Sequence, residues 1–149
     1  MRALPRTLLS GAAGTLCEAA LTVAERRLLG RPPYDTAEMA KRLAAQLGVE
    51  LDADAARVAG VAMHWTYGPA WGIAAELASR RMRWPLAGAT VGSLLFAVEL
   101  VLLPRTGATP RLGGWGARFV AADLANAMTF GVVAALTTSL LARAETVDG

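Results

Sequence analysis

Four stretches of the 149-residue chain, at about 7–24, 58–78, 85–103 and 119–142, are apolar over the length a helix needs to cross a bilayer. At ~1.5 Å of rise per residue each reaches across a hydrocarbon core of ~30 Å. Between the first and second stretches the pattern changes to one of helical amphipathicity. Asp35-Thr36-Ala37-Glu38 reads as a helix start, with an N-cap acid and a glutamate three residues on. Met39, Leu43 and Leu47 then recur every four residues, with Lys41 and Arg42 opposite. A short amphipathic helix at about 36–47 follows, ending near Gly48 and lying on the membrane surface or against the bundle. The expected fold is an all-α membrane protein: a four-helix transmembrane bundle with a short amphipathic helix in the first long loop, making one integral membrane domain over 1–149.

The joints agree with that division. Gly30, Pro32 and Pro33 end the first helix and force an extended or turning segment. The turn 79–84, with Arg80, Arg81 and Arg83, has room only for a tight reversal, and Pro85 suits the first turn of the next helix. Pro104 is expected to end the third span, and 106–116, with four glycines and Pro110, to be a loop. Trp84 and Trp115 fall near span ends, as interfacial aromatics do. The leader 1–9, with Arg2 and Arg6 before an apolar run, begins as a signal peptide does. That run is too short for a signal core, however, and continues through Ala19 and Ala20, so an uncleaved first span is expected. An even number of spans puts both termini on one side. The dense Arg80–Arg83 turn and the basic leader assign that side to the cell interior, although a plain count of basic residues favours the opposite.

Composition narrows the function classes. With 54% hydrophobic residues and four spans plus their joints consuming the chain, no separate soluble domain fits. The net charge of +3 does not point to nucleic acid. The arginines collect at helix ends (Arg26, Arg27, Arg80, Arg81, Arg83, Arg105, Arg118), where they suit lipid headgroups. A single cysteine, Cys17, excludes an intrachain disulfide and any multi-cysteine metal motif. No phosphate loop, Ser/His/Asp order or HExxH motif is present, so no catalytic residues are assigned, the reading leans away from an enzyme, and no cofactor is implied.

The candidate chemistry lies inside the spans. Glu18, His64, Glu99 and Asp123 each interrupt one apolar stretch, at a cost of ~2.5–3.5 kcal/mol for a charge at a helix centre. Given alternating spans, all four fall in the half of the bilayer nearer the two long loops. Tyr67 and Asn126, each one turn from His64 and Asp123, extend the set. Each lies near small residues at helical spacing: Gly11 and Gly14, Gly60, Gly68 and Gly72, Gly88 and Gly92, Gly131. Such stripes mark close helix contact in membranes, so the polar groups are expected to face the bundle interior. Three carboxylates and one imidazole cannot all be charged together in a low dielectric. They share protons as structural glue, or relay protons, or bind a divalent cation through His64, Glu18, Glu99 and Asp123. The bland readings of other residues are a solvated pair for Glu76 and Arg80, a headgroup-level cluster for Glu25 with Arg26 and Arg27, and aromatic core packing for Trp65 and Tyr67.

Glu25 followed by Pro32-Pro33, then Met63-His64-Trp65-Thr66-Tyr67-Gly68, and a final span with Asp123-Leu124-Ala125-Asn126 through Phe130-Gly131, resembles the small bacterial inner-membrane proteins of the YagU family. The loop after the first span is shorter here. The resemblance implies an integral membrane protein of the bacterial inner membrane and draws interest to Glu25, Pro32, Pro33 and His64; that family carries no agreed activity. Two functions remain open. One is a non-enzymatic accessory or structural membrane protein, whose partners are the lipid bilayer and a homo-oligomer or larger membrane complex. The other is a proton-, ion- or metal-coupled transporter or ligand-binding protein using the polar cluster.

Overall fold

The computed structural model describes residues 3–30 and 35–147, so Pro32 and Pro33 lie outside the described residues. Among the described residues the chain forms five α-helices: α1 Ala3–Leu29, α2 Thr36–Gln46, α3 Ala53–Ser79, α4 Trp84–Arg105 and α5 Ala117–Val147. A single 3₁₀ turn, Leu112–Gly114, sits in the last connection.

Local chemistry sets the helix ends. The Asp35 carboxylate accepts from the Glu38 N–H at 2.9 Å and Asp52 accepts from the Ala55 N–H at 2.7 Å, satisfying N-terminal donors of α2 and α3. α2 closes with Gly48 at φ +74, its N–H donating to the Ala45 carbonyl and the Val49 N–H to the Ala44 carbonyl. α4 closes the same way around Gly107 at φ +73, with bonds to Pro104 and Leu103. Both are paired C-terminal caps that only a residue tolerant of positive φ makes without strain. Pro104 therefore sits inside the last turn of α4 rather than ending it, and the helix runs on to Arg105. The other long helices also extend beyond the apolar stretches, because the polar flanks continue the backbone ladder for a turn or more outside the hydrophobic pattern.

α1, α4 and α5 are each long and apolar enough to cross a membrane. α3 matches α1 in length at 27 residues but falls short of that apolarity. His64, Thr66, Tyr67, Pro69 and the glycines at 60, 68 and 72 dilute its aliphatic content. Three apolar helices, not four, thus stand out. Large aliphatics such as Leu9, Leu16, Val23, Leu86, Leu94, Val101 and Leu140 face outward. A bundle folded in water would turn such residues inward; a lipid-facing one would not.

α5 packs along both α1 and α4, α1 packs on α3, and α3 meets α4 and α5 more sparsely. The interior is Ala75, Val91, Leu95, Ala127, Phe130 and Ala134, with Trp71 and Phe96 against it. α2 lies along α3 and buries Ala40. It is therefore docked on a helix, the second of its two expected placements.

Glycines set how closely these helices cross. A Cβ at Gly11 would stand 2.5 Å from the Pro69 Cα, at Gly88 2.8 Å from the Val132 Cα, at Gly92 2.8 Å from the Met128 Cα, and at Gly60 2.7 Å from the backbone of Thr36. Backbone meets backbone in each case, so no side chain can move aside. The spacing of Gly68/Gly72 and Gly88/Gly92 accordingly marks two real seams, α1 on α3 and α4 on α5. Gly131→Leu should destabilise the protein by about 1–3 kcal/mol through overpacking, since a Cβ there meets Gly92 Cα at 2.9 Å. Gly113→Ala, which meets nothing within 4 Å, should leave stability unchanged. Unfolding midpoints in detergent would test the pair, and equal midpoints would show the seam to be slack.

Candidate functional site

Polar side chains join the helices at both ends of the assembly, by different chemistry. At the end holding the start of α1, Arg6 reaches across to α3. Its Nε donates to Glu76 Oε2 at 2.8 Å and its Nη2 to Glu76 Oε1 at 2.5 Å, a fork on a carboxylate. Its Nη1 lies 3.2 Å from Glu145 Oε2 on α5. Arg80 adds a bond to Glu76 Oε1 at 3.1 Å from one turn along α3. Glu76 is only 4% exposed. One arginine thus binds three helices together, and the start of α1 meets the end of α5 at the same end.

This overturns the solvated reading of Glu76 and Arg80. The i,i+4 pair is present, but Glu76 is buried and its main partner is Arg6, 70 positions away. Sequence reasoning missed Arg6 because a basic residue near an N-terminus looks like a leader or headgroup charge. The available signal was a carboxylate inside the last turns of an otherwise apolar helix, which demands a partner.

Toward the other end, Asn126 on α5 donates from Nδ2 to Glu25 Oε2 on α1 at 3.0 Å. Glu25 is therefore half-buried against α5, while its neighbours Arg26 and Arg27 are exposed. Glu18 on α1, two turns before Glu25, Glu99 on α4 and Asp123 on α5, one turn before Asn126, are half-buried and close enough to interact electrostatically, with Tyr67 on α3 within range of all three. Glu25 adds its charge to the field at Glu18. Three like-charged groups from three helices thus share one region, with repulsion wherever all are ionised.

His64 stands apart. Its ring makes an edge contact with neighbouring Trp65 at 6.3 Å. Among the described residues it has no hydrogen bond or ion pair. No three His, Cys, Asp or Glu side chains among the described residues are grouped to hold a metal ion. The aromatics also differ from expectation. Trp65 and Tyr67 are exposed at 42% and 39%, and it is Trp71, in edge contact with Tyr67 at 5.9 Å, that packs on the core. Thr66 is exposed, its hydroxyl donating to the Ala62 and Met63 carbonyls of its own helix.

Comparison with protein-family models, curated proteins and solved structures returns no match for this chain. Its chemistry must be read from the arrangement itself. Hydrogen-bonding and ionic capacity is spent on tying α1 to α3 and α5 at one end and α1 to α5 toward the other. Of the expected cluster, the fold brings Glu18, Glu99 and Asp123 together, with Tyr67 beside them.

The arginine fork has a measurable consequence. Arg6→Leu leaves the buried Glu76 with only Arg80, and loss of a charged hydrogen-bond partner costs about 1.5–3 kcal/mol. The double variant Arg6→Leu, Glu76→Leu should be more stable than Arg6→Leu alone, since it removes the stranded charge together with its partner. Chemical unfolding of the three proteins in mixed micelles would read both effects. Additive losses would show that the two side chains do not depend on one another.

Proposed function

We propose that the chain is a small multi-pass protein of the bacterial inner membrane in which α1, α3, α4 and α5 all cross the bilayer, and that it acts as a non-enzymatic accessory or structural membrane protein. The observation that carries this reading is the Arg6 fork. A half-buried arginine whose donors go to the buried Glu76 on α3 and to Glu145 on α5 fixes helix packing rather than presenting a charge to a ligand. The outer face of α3 supports a partner. Trp65, Thr66 and Tyr67 lie exposed on the least apolar of the four long helices, a face that a second copy or a larger membrane protein would cover better than lipid. The resemblance to the YagU family belongs to this same reading, with Glu25 and His64 as residues of interest.

Reporter fusions at the two termini should place both on the same side of the membrane; opposite sides would remove α3 as a span. Photo-crosslinking from position 66 in native membranes should trap a discrete membrane-protein partner or a homodimer. Crosslinks to lipid alone would argue against an accessory role.

A second reading rests on Glu18, Glu99 and Asp123. Three mutually interacting carboxylates in a helical assembly suit the exchange of protons or cations. The purified protein in liposomes would then carry a proton or cation current that Glu99→Gln abolishes while leaving the helices folded. A wild-type current no greater than that of empty liposomes would dismiss transport by the chain alone.

A further inference from the structure

Where α4 ends, its last turns and the connection to α5 border an open surface cavity of about 510 Å³, lined by Leu100, Val101, Pro104, Arg105 and Arg111. The lining divides by chemistry. Leu100, Val101 and Pro104 make an apolar floor, and Arg105 and Arg111 bring two exposed guanidinium groups to its edge. Among the described residues no carboxylate pairs with either arginine. Where Arg6 and Arg80 meet the buried Glu76, each cation has a carboxylate; here two cations share a cavity without one.

The connection that presents Arg111 is built, not loose. The Gly107 cap turns the chain back over the end of α4, where Ala108 and Thr109 are buried. The Gln46 side-chain amide of α2 donates to the Thr106 carbonyl. Trp115, expected at the membrane interface, is instead only 3% exposed, and its Nε1–H donates to the Pro110 carbonyl at 2.8 Å. The Gly114 N–H closes on the Arg111 carbonyl at 2.8 Å. Arg111 is thus anchored from both sides, beside Arg105.

Above the cavity, α4 carries a matching apolar track. Leu94, Ala97, Val101 and Arg105 follow at i, i+3, i+7 and i+11, and all four are exposed. Eleven residues of helix span ~16 Å, about half of a ~30 Å hydrocarbon core. An acyl chain of one leaflet could lie along that track with its headgroup at the arginines. Guanidinium forks match phosphate oxygens in geometry and charge. A choline ammonium would instead bring a third cation to the pair.

The geometry points to a binding site for an anionic phospholipid, its phosphate held between Arg105 and Arg111 and one acyl chain along Val101, Ala97 and Leu94. This rests on α4 crossing the membrane. Basic pockets at membrane depth where the headgroups begin are suited to such lipids.

The test titrates the protein, purified in uncharged detergent, with phosphatidylglycerol or phosphatidylcholine and counts bound lipid by native mass spectrometry. Phosphatidylglycerol should be retained at least ~tenfold more tightly than phosphatidylcholine, a gap of about 1.4 kcal/mol. Arg105→Gln with Arg111→Gln should erase that gap. Val101→Glu, which keeps both arginines but puts a carboxylate in the floor, should erase it too. Arg26→Gln with Arg27→Gln removes the same charge from the end of α1 and should preserve it. Circular dichroism and gel filtration check that each variant folds; if the double arginine variant does not, the single substitutions and Val101→Glu decide. Equal retention of both lipids, an equal loss in the α1 control, or wild-type retention in the site variants would overturn the site. Full displacement of phosphatidylglycerol by inorganic phosphate would overturn the lipid assignment, because the acyl track would then contribute nothing. Recovery of the protein from the aqueous fraction without detergent would instead remove the membrane placement of α4, a failure distinct from that of the site.

Discussion

Backbone-to-backbone contact at glycine is the constraint on which the rest of this structure depends. Between lipid-facing helices there is little hydrophobic drive to associate, because the surrounding chains are as apolar as leucine. Association then rests on close packing and on polar groups that find partners. Gly11, Gly68 and Gly72 let α1 settle on α3, and Gly88, Gly92 and Gly131 let α4 settle on α5. Gly14 leaves room for the ring of Phe130, which brings α1 against α5 and joins the two pairs. Each dispersion contact at such distances is worth only ~0.1–0.2 kcal/mol, so the seams act by number and by continuity.

The polar contacts follow from that closeness. Thr15 occupies the space a side chain at Gly68 would need, and its hydroxyl is satisfied by the Gly11 carbonyl at 2.9 Å in its own helix. Ser10 does the same with Thr7, at 2.9 Å. Both are fully buried without needing a partner across the seam, so they allow close approach without fixing register. Register is fixed instead by Arg6 on Glu76 and by Asn126 on Glu25. A planar fork on a carboxylate tolerates little sliding, whereas a stripe of glycine and alanine tolerates a good deal. Small residues set the distance, and the charged ends set the alignment.

What could be read from the chain divides along the same line. Local rules located α2 within a residue, because Asp35, Glu38 and Gly48 are start and stop signals acting within a few positions. The glycine seams were also legible, since their spacing is a property of one helix at a time. Pairings between distant helices were not. Nothing near Glu76 in sequence distinguishes Arg6 from Arg80 as its partner, and Arg80 at i+4 is the nearer guess. His64 looked like the hub of the polar cluster because helical depth places it level with the acids. Depth does not fix rotation about the helix axis, and its ring turns toward Trp65. α3 shows the limit of hydropathy: its length and its packing against α1 match those of its neighbours, while His64, Tyr67 and Pro69 thin its apolar signal.

The two ends of the assembly differ in a way that bears on any function. At the Arg6 end, one short turn joins α3 to α4 and a buried ionic knot ties α1, α3 and α5. At the other end the connections are long, α2 leans on α3, and the cross-helix bonds among the described residues include Asn126 to Glu25 and Gln46 to the Thr106 carbonyl. Glu18, Glu99 and Asp123 lie toward that second end, where they would repel one another if all were ionised. A change in the charge of the three acids, or the arrival of a headgroup beside Arg105 and Arg111, would act at that end, away from the Arg6–Glu76 fork.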